Sequence, residues 1–286
     1  MNAVVQKILL SLVLLGALTL RAQGVEYTAA DSALVVRLLG DAPAERGDEN
    51  RMLYFGKKFI GTPYVAHTLE GGTSEHLIVN LRELDCTTFV ETILALSLCD
   101  RDNARTFDDF CRNLALVRYR DGQLGDYTSR LHYFSWWADD NVRKGILTTV
   151  DGPAFSGVQT INLSFMSTHP NSYRQLKLHP EFVPVIRDLE TRGNGATLRY
   201  IPKTDLRGSQ RSSLGDVHTG DILALPTTIP GLDVSHLGIA VWQGGKLHLL
   251  NATSLAGKVI LDPKPLYDYQ QSQRRQTGVA ALRLRD

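Results

Sequence analysis

The sequence has little cysteine and no excess of charge of either sign. It contains three cysteines among 286 residues, and 31 Lys and Arg against 30 Asp and Glu leave a formal net charge of +1. No long basic run is present, so the chain lacks the charge that neutralises a phosphate backbone. These features argue against a nucleic-acid partner and favour a small or neutral ligand.

Motifs of several enzyme classes are also missing. The sequence has no GxSxG elbow, HExxH helix, CxxC pair, Walker loop or GxGxxG turn. Serine hydrolase, zinc peptidase, dithiol redox and nucleotide-binding functions therefore lack their usual residues. No His, Cys or acidic residues have the spacing of metal ligands, and we predict that the protein needs no metal and no cofactor.

The first residues have the pattern of an export signal. Lys7 precedes an apolar run of thirteen residues, 8–20, which is too short to span a bilayer comfortably. A short polar stretch follows, and we predict cleavage near Ala22 or Gln23. Residues 1–23 are thus interpreted as a signal peptide. Residues 24–286 are interpreted as a single domain with no stable membrane anchor after cleavage, and an uncleaved anchor is the alternative.

An odd number of cysteines leaves at least one free thiol. Cys99 and Cys111 can form a disulfide or remain buried thiols, and the sequence leaves both open. Cys86 lies in the stretch LDCTTFVE, which predicts an apolar helix from this cysteine to about Leu98. A thiol at a helix N-terminus is favoured as the thiolate and lies near free backbone N–H groups, as a nucleophile requires. The alternative interpretation is a small buried hydrophobe.

Other helices are predicted on both sides of this one. Residues 25–56 have a helical pattern with Asp31 or Ser32 as a cap. The alternating charges of residues 100–127 predict a solvated helix and loop. Residues 127–145 predict a helix capped by Thr128 or Ser129. One stripe of that helix would carry Arg130, Tyr133, Trp137 and Asn141.

Two of these side chains, and a tyrosine from an earlier loop, are candidates for substrate binding. Arg130 and Tyr133 together suit the clamping of a carboxylate and stacking on a sugar ring, although burial is the alternative use of such aromatic rings. Tyr64 follows Gly61 and Pro63, which predict a turn that presents the tyrosine on a rigid loop. A rim or core aromatic is the alternative there.

The last third of the chain predicts an antiparallel meander. Gly244 and Gly245 mark a hairpin turn within it. Only His236, of eight histidines, begins a strand, where an imidazole can face a neighbouring helix N-terminus. His248 and Asn251 lie on the next strand and point to opposite faces, so at most one of them orients His236. An amide oxygen can hold the imidazole tautomer as a carboxylate does. The β-rich runs are residues 221–225, 236–242, 247–250 and 259–261.

Five short blocks occur in order along the chain: residues 61–64 (GTPY), 85–86 (DC), 220–222 (GDI), 236–239 (HLGI) and 249–252 (LLNA). These blocks resemble the signatures of the NlpC-type papain-like cysteine peptidases that act on bacterial cell wall. The longer strings LDCTTFVE, RLHYFSWWADDN, FMSTHPNSY and GLDVSHLGI are similar to the N-acetylmuramoyl-L-alanine amidase-like branch of that superfamily. The similarity covers most of residues 50–262.

The resemblance implies an α+β, papain-like fold in which the helix carrying the nucleophile packs on an antiparallel sheet. It implies that Cys86 is the nucleophile, His236 the general base and Asn251 the third polar residue, with His248 still open as the alternative. About 150 residues separate Cys86 from His236. Residues from about 100 to 215 are therefore expected to form a large, mostly helical insertion over the cleft.

Two positions near the thiol are expected to contact substrate by the same resemblance. Tyr64 matches the tyrosine near the nucleophile, and Asp85 belongs to the block that contains Cys86. The chain has Thr87 and Thr88 where many relatives have Ser and Gly, which leaves the details of this turn open.

The implied reaction is hydrolysis of the amide between N-acetylmuramic acid and L-alanine, in peptidoglycan or in soluble muropeptides. Such a protein would be exported to the periplasm or the exterior of a bacterial cell. Two alternatives remain. A γ-D-glutamyl-L-diamino-acid endopeptidase would cleave further along the same peptide, and a non-catalytic cell-wall-binding module would keep the fold without the chemistry.

Overall fold

The computed structural model of the protein describes residues 19–22, 24–43, 49–207 and 213–286. Most of the predicted signal peptide, residues 1–18 and 23, lies outside the described residues. Strand β1 (Thr19–Ala22) pairs antiparallel with β2 (Val25–Thr28). Within the described ranges, no helix has the length and apolar character needed to cross a membrane.

Helix α3 (Cys86–Arg101) lies in the middle of the core and is buried on nearly every side. Its start is fixed by Asp85, whose carboxylate accepts a hydrogen bond from the Thr88 N–H at 2.8 Å. The Thr88 hydroxyl accepts one from the Asp85 N–H at 2.9 Å, which completes a capping box. The predicted helix is confirmed, and it continues three residues beyond Leu98.

Helices α2 (Arg51–Lys58) and α4 (Phe107–Arg118) pack on α3. The expectation of a solvated helix after residue 100 is wrong for α4, because Phe110, Leu114 and Val117 are buried at helical spacing. Arg118 continues this buried face. Its Nε donates to Glu91 of α3 at 2.7 Å, and both side chains are almost fully buried.

The N-terminal prediction of one helix over residues 25–56 is wrong. Residues 25–28 form β2, which pairs with β1 and, in parallel, with β3 (Leu77–Ile78). Helix α1 (Ala29–Gly40) is capped by Thr28 and not by Asp31 or Ser32. The reason is a capping box in which Asp31 accepts from the Thr28 N–H at 2.9 Å.

The main sheet has eight strands, and its C-terminal part is the predicted meander. Gly244 and Gly245, with φ of 57° and 77°, form the hairpin turn between the second and third meander strands. The strands lie side by side in the order β10 (Lys258–Leu261), β9 (Lys246–Thr253), β8 (Val234–Gln243), β7 (Ile222–Pro226), β11 (Gly278–Leu284), β6 (Thr197–Pro202) and β5 (Gly157–Thr160). An eighth strand, β4 (Leu147–Val150), also pairs with β11. The meander strands, which follow one another antiparallel, are β7 (Ile222–Pro226), β8 (Val234–Gln243), β9 (Lys246–Thr253) and β10 (Lys258–Leu261).

The segment between α3 and the meander contains more helix than strand. Its strands are not a separate layer, because β4 and β6 both pair with β11 (Gly278–Leu284). The architecture is thus α+β, with helices packed on an antiparallel sheet. The remaining elements are α5 (Phe134–Arg143), β4 (Leu147–Val150), β5 (Gly157–Thr160), α6 (Phe165–Thr168), α7 (Arg174–Leu178), α8 (Phe182–Gly193), β6 (Thr197–Pro202) and α9 (Leu266–Gln271).

The helix predicted to begin at Thr128 or Ser129 begins only at Phe134. Arg130 therefore does not share a helical stripe with Tyr133. The backbone of Arg130 is instead extended and bridges to Tyr119. The first turn of α5 is capped from a distance, because the carboxylate of Asp233 accepts a hydrogen bond from the Ser135 N–H at 2.6 Å.

Candidate active site

Cys86 and His236, 150 positions apart in the sequence, line one cavity of about 160 Å³. The first turn of α3 supplies Cys86, and the start of β8 supplies His236. The segment between α3 and the meander forms the rest of the wall. Its lining residues are Leu131, His132, Tyr133, Phe134, Trp137, Met166 and Tyr173, and residues 232–235 before His236 complete the wall.

His236 is oriented by Asn251. Its Nε2 lies 2.8 Å from Asn251 Oδ1, and the Asn251 amide group donates to the Leu249 carbonyl at 3.2 Å. The second bond fixes which end of the amide faces the imidazole. Because the amide oxygen accepts, Nε2 carries the imidazole proton, and Nδ1 keeps a lone pair.

Strand register explains why these two residues meet. Ile239 pairs with Leu250, so continuing the ladder by one residue places Asn251 beside Gly238. Residues two apart share a face, which puts His236 on the side of Asn251. A Cβ on Gly238 would lie 2.9 Å from the Leu250 carbonyl oxygen, which is backbone, so glycine is required where these strands cross.

His248 lies on the other face of β9. It is buried, and its Nδ1 lies 3.0 Å from the Asp262 carbonyl oxygen. Of the two candidates for the third polar residue, the structure therefore brings Asn251 to His236 and leaves His248 elsewhere.

The Cys86 thiol lies against the strand that carries His236. The Leu237 N–H and the Thr87 hydroxyl hydrogen-bond the sulfur and favour the thiolate, but burial and the charge of Asp85 act in the opposite direction. Burial dominates and raises the pKa of Cys86 to about 12. The N-terminus of α3 is predicted to favour the thiolate, but burial of the sulfur outweighs that effect.

His236 is also held in its neutral form. Burial lowers the pKa of its imidazole, while the bond to Asn251 and the charge of Asp85 act to raise it. At rest, the thiol and the imidazole that line this cavity are consequently both neutral.

Tyr64 and Asp85 both lie near the sulfur. Burial raises the pKa of the Tyr64 phenol, and negative charge on Cys86 and Asp85 raises it further. The Tyr64 backbone is fixed by a bond from its N–H to the Gly257 carbonyl at 2.9 Å. The Asp85 carboxylate is occupied by the capping box of α3, so its contribution at the cavity is its charge.

Arg130 and Tyr133 have different positions from those expected. Arg130 is buried, and its guanidinium donates to Glu70 at 3.0 Å and to Glu75 at 2.7 Å, so it anchors the loop before β3 and does not line the cavity. Tyr133 does line it. Its hydroxyl, however, donates to Glu190 at 2.6 Å, which leaves the ring as the part that faces a ligand.

A family model described as AmiA-like, N-acetylmuramoyl-L-alanine amidase-like, matches residues 54–279. The chain belongs to this family. An N-acetylmuramoyl-L-alanine amidase from Bacteroides uniformis is 39% identical to this AmiA-like chain, with a TM-score of 0.77 over 82% of it and 98% of the relative. A search of the curated proteins found no match.

Two further solved structures resemble this AmiA-like chain. A Bacteroides fragilis protein proposed to be a xylanase is 44% identical, with a TM-score of 0.74 over 80% of this chain and 98% of that one. A Legionella pneumophila protein is 21% identical, with a TM-score of 0.65 over 90% and 94% of the two chains, and it shows the fold alone.

Sequence reasoning missed two polar residues in the cavity of the AmiA-like chain. One is His132, which lines the cavity and whose Nε2 lies 2.8 Å from the Tyr127 carbonyl oxygen. Asp233 is buried, and its carboxylate accepts from the Ser135 and Val234 N–H groups at 2.6 and 2.7 Å. His132 belongs to the string RLHYFSWWADDN and Asp233 to the string GLDVSHLGI. Both strings resemble the family, and this resemblance was the feature of the sequence that could have identified the two residues.

The other cysteines lie away from the cavity. Cys99 and Cys111 are buried free thiols, and the Asn113 amide donates to the Cys99 sulfur at 3.2 Å. Across the described ranges, no three His, Cys, Asp or Glu side chains are grouped in a way that could hold a metal ion.

Proposed function

We propose that the protein is a cysteine amidase that hydrolyses the bond between N-acetylmuramic acid and L-alanine in peptidoglycan or its fragments. One observation supports the proposal most directly. Cys86 and His236 line the same cavity, and His236 is hydrogen-bonded to Asn251. Family membership and the likeness to the Bacteroides uniformis amidase support the choice of bond. The same features support a papain-like, NlpC-type site in an exported protein that acts on the cell wall.

In the first half-reaction, the Cys86 sulfur attacks the lactyl carbonyl carbon while His236 Nδ1 takes the thiol proton. The oxyanion that forms is placed to accept from the N–H groups of Cys86 and Thr87, which the first turn of a helix leaves without internal partners. Each such donor contributes about 3 kcal/mol in comparable sites. His236 then protonates the alanine nitrogen, the C–N bond breaks, and the peptide leaves from a thioester.

In the second half-reaction, water attacks the thioester carbonyl and gives a proton to His236. The C–S bond breaks, the sulfur regains that proton, and the sugar leaves with a free lactyl carboxylate. Because the resting thiol is neutral, proton transfer to His236 accompanies the attack on the carbonyl.

Glycoside hydrolysis fits this cavity less well than amide hydrolysis. Glycosidases of the usual kind place two carboxyl groups on either side of the scissile bond. Asp233 is the one acidic residue among the described residues that line the cavity, and its carboxylate is bonded to two backbone N–H groups.

Mass spectrometry of a digested disaccharide-tetrapeptide tests the proposal. We expect a free tetrapeptide with an alanine N-terminus and a disaccharide with an intact lactyl carboxylate. L-Ala-D-Glu retained on the sugar would support the endopeptidase instead, and binding without cleavage would support a non-catalytic module. Cys86→Ala should be inactive, whereas Cys111→Ala, in α4 and away from the cavity, is the matched control.

A further inference from the structure

The cavity contains a histidine that the proposed reaction does not use. His132 lines the same wall as Tyr133, and its Nε2 lies 2.8 Å from the Tyr127 carbonyl oxygen. A carbonyl oxygen can only accept, so Nε2 carries the proton and Nδ1 presents a lone pair. Nδ1 makes no hydrogen bond to any residue that the structure describes.

The surroundings keep His132 in this neutral tautomer. Its ring packs on the ring of Tyr127, with centroids 4.3 Å apart. Burial, followed by the nearby charge of Arg130, lowers the pKa of His132 to about 3. Its Nδ1 is therefore an acceptor, and not a donor, at neutral and mildly acidic pH.

A donor from the same wall also has no partner. Trp137 lines the cavity, and its indole N–H is buried without an acceptor among the described residues. Buried indole N–H groups ordinarily have one. Two neighbouring polar groups are already used, since the Tyr133 hydroxyl bonds Glu190 and the Asp233 carboxylate bonds the Ser135 N–H. The Trp137 N–H is enclosed within the wall, so the acceptor at His132 Nδ1 is a group that remains for a ligand.

We infer that His132 is a specificity-determining residue whose Nδ1 accepts a hydrogen bond from a secondary amide N–H of the substrate. The inference rests on the proposed function, because the muramoyl substrate carries such amides close to the reacting carbon. The scissile amide and the N-acetyl group of the sugar are the two sources of this chemistry.

Two substitutions distinguish a hydrogen bond from His132 to the substrate from a purely structural role of His132 in the cavity wall. His132→Gln keeps a donor near the Nε2 position for the Tyr127 carbonyl but loses the acceptor at Nδ1. His132→Asn keeps an acceptor near Nδ1 and loses the bond to Tyr127. We expect kcat/KM to fall about ten- to hundredfold in the Gln protein and less in the Asn protein. A merely structural His132 predicts the reverse order, and that result would overturn the inference.

Substrate analogues identify which amide N–H of the substrate donates to His132 Nδ1. One analogue has an ester in place of the scissile amide, and the other has an O-acetyl group in place of N-acetyl. Wild type and His132→Gln should have similar kcat/KM on the analogue that lacks the N–H in question. A Gln variant that loses the same factor on both analogues as on the natural muropeptide would contradict the inference.

Binding keeps this test separate from the test of the proposed function. Muropeptide affinity can be measured by calorimetry with Cys86→Ala and with Cys86→Ala/His132→Gln, in which no turnover is possible. We expect about tenfold weaker binding by the double variant. Equal affinities would refute the role of His132 even if the wild type cleaves the muramoyl bond, and weaker binding would support it even if cleavage occurs elsewhere.

Discussion

Asn251→Ala should leave His236, the general base of the proposed reaction, with a buried N–H donor and no acceptor. His236 Nε2 and Asn251 Oδ1 are 2.8 Å apart, and Asn251 is fully buried, so water does not readily replace the amide. An unpaired buried donor costs about 1–3 kcal/mol. The cost falls on the step in which His236 becomes imidazolium, because that positive charge strengthens the lost bond. We expect kcat on the muropeptide to fall about 5- to 150-fold.

Asn251→Asp provides a second, independent readout of the same contact. The carboxylate keeps an acceptor for Nε2 and adds a negative charge, which favours the imidazolium and raises the pKa of His236. His236 must be neutral to take the thiol proton, so the rate is lost as the pH falls through this pKa. In the wild type, burial holds the pKa of His236 below its usual value, so activity should persist at mildly acidic pH. In the Asp variant, the acidic limb of kcat/KM should move to higher pH.

His248→Ala is the matched control, because His248 lies on the opposite face of β9 and bonds the Asp262 carbonyl. Steady-state kinetics of all three variants, with thermal melts to confirm folding, are the assay. A His248→Ala protein with a larger loss of kcat than Asn251→Ala would refute the assignment of Asn251 as the residue that orients His236.

Three further predictions follow from other contacts. Because burial raises the pKa of Cys86 to about 12, alkylation by iodoacetamide should be slow at neutral pH and accelerate with rising pH; a plateau near neutrality would show a resting thiolate. Arg118→Ala should lower the free energy of unfolding, measured with urea, by about 3–5 kcal/mol, because it leaves Glu91 buried without its partner. Adding Glu91→Gln to the Arg118→Ala protein should recover part of that loss. Asp233→Ala should cost about 1 kcal/mol through the lost cap of α5, whereas Asp233→Asn keeps an oxygen for the Ser135 N–H and should melt near the wild type.

Local patterns sufficed where one stretch of chain decides its own structure. Helix α3 has its cap, its first residue and its apolar surface within residues 85–101, and its start was predicted at Cys86. The meander is equally local, since a two-glycine turn joins β8 to β9. The opposite faces of His248 and Asn251 follow from strand periodicity alone.

Predictions failed where a distant residue decides the outcome. The sequence pattern predicts a helical position for Arg130, but its guanidinium pairs with Glu70 and Glu75, about 60 positions earlier in the chain. Helix α5 starts late because its cap, Asp233, comes about 100 positions later. The pKa of Cys86 was expected to be low from the helix N-terminus, but burial depends on walls that no local pattern reveals.

The cap of α5 also connects the two halves of the candidate site. Asp233 lies three residues before His236, and its carboxylate holds the N-terminus of the helix that carries Phe134 and Trp137 into the cavity wall. The segment that positions His236 therefore also positions α5 in the cavity wall, through the hydrogen bond from the Ser135 N–H to Asp233. Because burial keeps both Cys86 and His236 neutral, a shift of α5 that admits water to the cavity should change the pKa values of both groups together. Asp233→Ala is thus expected to move the pH profile of kcat/KM as well as the melting temperature, whereas a change in stability alone would show that the wall and the base are independent.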